Sequence, residues 1–115
     1  MSIAWLRPAW RAPATVQAAC TLRGGGVSAA PYASLNLAAQ VGDAPAAVTE
    51  NRHRVCAALA LPGEPLWLQQ VHGTGIVDAD VDGTPGPADA ALTRRADRVL
   101  AILIADCMPV LFASE

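Results

Sequence analysis

The segment Arg98–Ala105 reads RVLAILIA: one arginine, then seven consecutive apolar residues with no polar position to mark a solvent side. A strand with one wet face alternates polar and apolar residues, whereas a run that is apolar throughout is buried on both faces. The run is far too short for a bilayer, which takes about 20 apolar residues. It is therefore expected to be a central strand in a covered sheet, and the remaining residues must supply its neighbours and the layers above and below.

Those neighbours can be read on either side. Residues 1–14 are proline-rich and are expected to be an extended lead-in. Val16–Leu22 reads as a strand that Arg23-Gly24-Gly25-Gly26 terminates. Three successive glycines permit positive φ and close approach of the backbone, either as a tight turn or as a loop facing a ligand. Asp43 is placed as a helix N-cap with Pro45 in the first turn, and Pro62-Gly63 stops the helix after about Leu61. Val48, Val55 and Leu59 share one stripe of this helix, and Arg52 falls on it. An arginine on a packing face needs a carboxylate or carbonyl partner, because an unpaired buried charge is costly. His53 points away and is read as solvated. Leu66–Val71 (LWLQQV) reads as a second strand, with Leu66, Leu68, Gln70 and His72 on one face. Residues 78–89 form a polar loop, and Val110–Ala113 begins a further strand at which the chain stops. This order predicts a single α+β (mixed α/β) domain over residues 1–115, incomplete at its C-terminal edge.

Composition narrows the function. With 53% hydrophobic and 16% charged residues, the chain lies outside the range of disordered sequences. All eight basic residues are arginines, and no stripe of them suggests nucleic acid as a partner. Cys20, Cys56 and Cys107 are odd in number and lack a CxxC spacing, which argues against a disulfide framework and for a reducing compartment. The N-terminus lacks a basic n-region and a sustained apolar h-region, so no signal peptide and no membrane association are expected. A cytoplasmic protein follows from these readings.

Two positions could carry chemistry. His72 ends one strand and precedes Gly73, while Cys107 ends the central strand and follows Asp106. Imidazole and thiolate suit zinc, whose catalytic sites use three protein ligands and leave a fourth position to water. The same pair would also serve as a nucleophilic cysteine with a histidine base. The residues alone leave both readings open, as well as a chain that only folds or binds. The phosphate-loop, GxSxG and HExxH patterns are all absent.

The segments TLRGGGVSAAPYASLNL, VGDAPAAVTENR, WLQQVHG, ADAALT and ILIADCMPVLF occur in an order and spacing that resemble the YfiH, or laccase-domain, family. The resemblance implies a layered sandwich of two packed mixed sheets. It implies a zinc-dependent purine nucleoside phosphorylase acting on adenosine, inosine and methylthioadenosine, with adenosine deaminase activity. The substrates would be a purine nucleoside and phosphate. His72 and Cys107 match two of the family's zinc ligands. The third, a histidine in an AxHAGWRG segment, would follow the ADCxPVLF strand, and this chain ends before it, so a truncated chain is expected. Arg23 with Gly25 and Gly26 is the candidate phosphate cradle, since guanidinium and backbone N–H groups suit phosphate. Asp89 and Asp106 are candidates for orienting ligands or moving protons, and Asn36 and Gln70 for lining the pocket. The family's older label implies copper and phenol oxidation, but one histidine and one cysteine are too few for several coppers.

Overall fold

The computed structural model describes residues 2–81 and 86–114. The chain divides into two compact units, Met1–Ala58 with Val110–Glu115, and Leu59–Pro109.

In the first unit, β1 (Trp5–Leu6) pairs antiparallel with β2 (Cys20–Thr21), in the register Trp5 to Thr21 and Leu6 to Cys20. The expected strand over 16–22 is thus shorter, and the proline-rich lead-in supplies its partner. Pro8 has no N–H to continue the ladder beyond Leu6. The Arg7 guanidinium instead donates to the Ala18 carbonyl at 3.1 Å, where the next rungs would lie.

The helix α1 spans Pro45–Ala58. The Ala44 carbonyl accepts from Ala47 and Val48, so Ala44 is the N-cap and Asp43 stands one residue outside it. This corrects the expected cap by one position. The helix also stops three residues before Leu61, and Ala60 is left-handed at φ 50°. Leu61 precedes a proline and is thereby disfavoured in the helical region. Val48 and Val55 are buried as expected, each contributing about 1.5–3 kcal/mol relative to exposure. Arg52 is half-buried and donates through Nε to the Leu37 carbonyl at 2.9 Å, the kind of partner its position requires. His53 is exposed.

In the second unit, β3 (Ile76–Asp78) runs parallel to β4 (Ala90–Leu92), with Ile76 opposite Ala90 and Asp78 opposite Leu92. These two strands flank most of the expected loop 78–89, of which residues 82–85 lie outside the described residues. The segment from Leu66 to Gln70 makes single parallel bridges, Leu66 to Leu100 and Gln69 to Pro87, rather than a continuous ladder. Leu68, Ala79 and Ala88 form the buried core of this unit.

The expectation of a doubly covered central strand over 98–105 is not met among the described residues. Ile102 and Ile104 are 37% and 40% exposed, and one backbone bridge at Leu100 is the segment's pairing. A strand is buried on both faces only where layers lie on both, and here Ile102 and Ile104 are left exposed while Leu100, Ala101 and Leu103 are half-buried. Residues 110–114 likewise form no strand and are exposed, because a strand requires a paired neighbour.

Candidate functional site

In the second unit the segments that lead to His72 and Cys107 run side by side over part of their length. The Leu66 N–H donates to the Val99 carbonyl at 2.9 Å, which starts the two segments side by side and parallel. Four residues on, the Gln70 side chain closes the pair: its Nε2 donates to the Leu103 carbonyl at 2.9 Å, and its Oε1 accepts from the Leu103 N–H at 2.8 Å. A side-chain amide thus imitates a backbone rung. Gln70, expected to line the pocket, is here a tie between the two segments. His72 lies two residues beyond one end of this tie and Cys107 four residues beyond the other. Both are exposed, as is Asp106, which sits with Cys107 in the bend over 105–107.

His72 does not continue the alternation of the strand before it. Its φ is 58°, in the left-handed region that side chains other than glycine seldom adopt. Asp89 holds this turn. Its Oδ1 accepts from the N–H groups of His72 at 2.9 Å and Val71 at 3.1 Å, and its Oδ2 from Gly73 at 2.7 Å and Val71 at 3.3 Å. The Gly73 N–H is the chief cause that holds the Asp89 carboxyl below the ordinary carboxylate range. Partial burial opposes the shift, while the His72 and Val71 N–H groups and the nearby imidazole assist it. Of the two roles expected for Asp89, the geometry bears on orientation.

Two histidine and cysteine donors do not by themselves make a metal centre. Among the described residues, no three His, Cys, Asp or Glu side chains come together as a metal would require.

The first unit holds the other candidates, and most of their polar atoms face inward. Arg23 is exposed, and its Nε donates to the Ala33 carbonyl at 2.8 Å. Gly25 has a φ of 102°, as the glycine run suggested. Gly26 is required for contact: a Cβ there would fall 2.2 Å from the Ser34 carbonyl oxygen and 2.4 Å from Asn51 Oδ1. Its N–H donates to Ser34 Oγ at 3.1 Å, so this donor is directed into the fold and not toward a phosphate. Asn36 is also turned inward. Its Nδ2 donates to Asp43 Oδ2 at 3.1 Å and the Ala38 carbonyl at 3.2 Å, and its Oδ1 accepts from the Ala38 N–H. Asn36, expected in the pocket, thus takes part in the hydrogen bonding of this loop.

The centre of this network was not anticipated. Asn51 is fully buried, accepts from the Val27 N–H at 2.8 Å, and donates to Ser28 Oγ and the Asn36 carbonyl, each at 2.8 Å. Ser28 Oγ in turn donates to Asp43 Oδ2 at 2.6 Å. Its signal in the sequence was position: Asn51 stands three residues after Val48 and four before Val55, on the buried stripe of α1. A polar residue there has to be satisfied internally.

Residues 17–115 match the family described as multi-copper polyphenol oxidoreductase laccase. This chain belongs to that family. It is 49% identical to a purine nucleoside phosphorylase of Pseudomonas aeruginosa over 112 residues, 97% of this chain and 45% of that protein. It is 46% identical to the Escherichia coli purine nucleoside phosphorylase YfiH over 111 residues, 94% of this chain and 45% of the relative. Crystal structures of the family's fold agree. Protein NMB0706 of Neisseria meningitidis superposes with a TM-score of 0.79 at 41% identity, and YlmD from Geobacillus stearothermophilus with 0.80 at 34%. Each superposition covers 90% of this chain and 42% of the solved one. The chain thus spans less than half the length of the relatives it matches. Among the described residues, no helix is long and apolar enough to cross a membrane.

Proposed function

We propose that the protein carrying this chain is a purine nucleoside phosphorylase that releases the base from adenosine, inosine or methylthioadenosine with phosphate, and that also deaminates adenosine. The observation that carries this reading is the likeness, at 46–49% identity, to relatives named purine nucleoside phosphorylase. In this proposal His72 and Cys107 each give a ligand to zinc in the cytoplasm, and polypeptide outside this chain completes the ion's shell within a layered sandwich. Zinc takes such nitrogen and sulfur donors readily, and a water bound to it is acidified toward neutrality. Arg23 is the candidate for phosphate: its Nε is tied to Ala33, which fixes the plane of an exposed guanidinium. Asp106 is assigned to orienting or proton-moving work beside Cys107.

The test uses a protein of the relatives' full length. Base release from inosine is expected to require phosphate and to fall at least about 100-fold in His72→Ala. Retention of both activity and zinc in that variant overturns the reading. The family's description favours copper as a second reading, so metal analysis of the same protein decides between zinc and copper.

A further inference from the structure

The turn that carries His72 presents three consecutive backbone N–H groups, those of Val71, His72 and Gly73, to a single carboxylate 16 to 18 residues away. Successive N–H groups around a left-handed residue form a concave nest whose natural occupant is an anion. Here the occupant is a side chain of the same unit. We propose that Asp89 is the positioning residue of the candidate site: its carboxylate fills this nest, fixes the left-handed turn and so sets where the His72 imidazole points. The inference rests on the preceding reading only in treating His72 as a working residue.

Four observations support the assignment. Asp89 is itself held, since its N–H donates to the Gly75 carbonyl at 3.1 Å and the neighbouring Ala88 N–H donates to the Gln69 carbonyl at 3.0 Å. It directly precedes β4, and Ala88 is 2% exposed, so the carboxylate projects from an anchored stretch of chain. Its partner is the less constrained side: residues 71–76 are all exposed, and an exposed turn with a left-handed histidine does not hold itself. Both carboxylate oxygens already receive backbone donors, which suits an anchor better than a proton carrier. A filled nest is also closed to substrate phosphate, which leaves that anion to another part of the protein.

The experiment follows from the chemistry of the nest. In a protein of the relatives' full length, Asp89→Ala is expected to lower kcat for phosphate-dependent inosine cleavage about 100-fold while KM stays within about threefold. Amide hydrogen exchange at residues 71–73 should accelerate in that variant, with exchange in α1 unchanged. Added formate, a free carboxylate, should refill the nest, restoring protection and part of kcat in Asp89→Ala and altering nothing in the wild type. Asp89→Asn keeps one acceptor oxygen and should fall between the two; it is the variant to read if Asp89→Ala does not fold. Wild-type exchange at residues 71–73 in the variants, or acceleration spread equally through α1, overturns the proposal. If the wild type fails to cleave inosine, the purine reading falls, and the exchange and formate measurements still decide the role of Asp89.

Discussion

The loops at residues 23–44 and 71–75 are both held by an aspartate, yet the two anchors work in opposite surroundings. Asp43 receives side chains: the Ser28 hydroxyl and the Asn36 amide meet at one of its oxygens, and the fully buried Asn51 stands behind them. Asp89 receives backbone N–H groups from an exposed turn. Burial makes the first arrangement a matter of fold stability, because every member of a buried network left without a partner costs its desolvation. Exposure makes the second a local matter, because water can satisfy the turn's N–H groups when the carboxylate leaves. The same device therefore holds a scaffold in one unit and aims a side chain in the other.

The sharpest way to break this contrast is to remove the centre of the buried network. Asn51→Ala strands the Val27 N–H and the Asn36 carbonyl, and should destabilise the protein by about 3 kcal/mol in urea unfolding. A loss comparable to that of an exposed substitution would show that the network is not what holds the loop. Gly26→Ala comes next, because its Cβ meets backbone atoms of Ser34 and Leu35 that cannot swing aside. A cost of about 2 kcal/mol is expected, against less than about 0.5 for Gly63→Ala, which has open space around it.

The smallest effect is electrostatic and reads the anchor itself. The Ser28 hydroxyl, then the Asn36 amide, hold the Asp43 carboxyl below its ordinary value. A group depressed on folding stabilises the protein above its unfolded pKa, and that stabilisation is lost as pH falls through the folded value. The urea midpoint should therefore drop below about pH 4 and flatten in part in Asp43→Asn. An unchanged acid slope in that variant would assign the loss to other carboxylates, such as Asp80, which is lowered chiefly by the Thr93 hydroxyl.

Much of the first unit was legible in the sequence. Pro45 opened α1, the 3.6-residue period picked out Val48 and Val55, and the position of Arg52 demanded the carbonyl that Leu37 supplies. These are local rules, and local rules can be read from neighbours in the chain. The glycine run announced close approach, and Gly26 makes it, but against Asn51 and Ser34 and not against a ligand. The strand over 98–105 failed for a related reason. Its composition specifies that both faces prefer burial, whereas burial itself depends on layers supplied by other residues.

By itself, the sequence determined the helix and the family, and it singled out His72 and Cys107 as the residues with chemistry to offer. Only the tertiary structure decided what other polar residues do. Asn36 and Gln70 read as pocket candidates in a string of letters, and Asp89 as a residue for orienting ligands or moving protons. In the fold, Asn36 donates to the Asp43 carboxylate, Gln70 ties to the Leu103 backbone, and Asp89 clasps the turn at His72. A side chain's chemistry is written in its identity, but its partner lies 7 to 33 residues away in these cases, and that distance is closed only by folding.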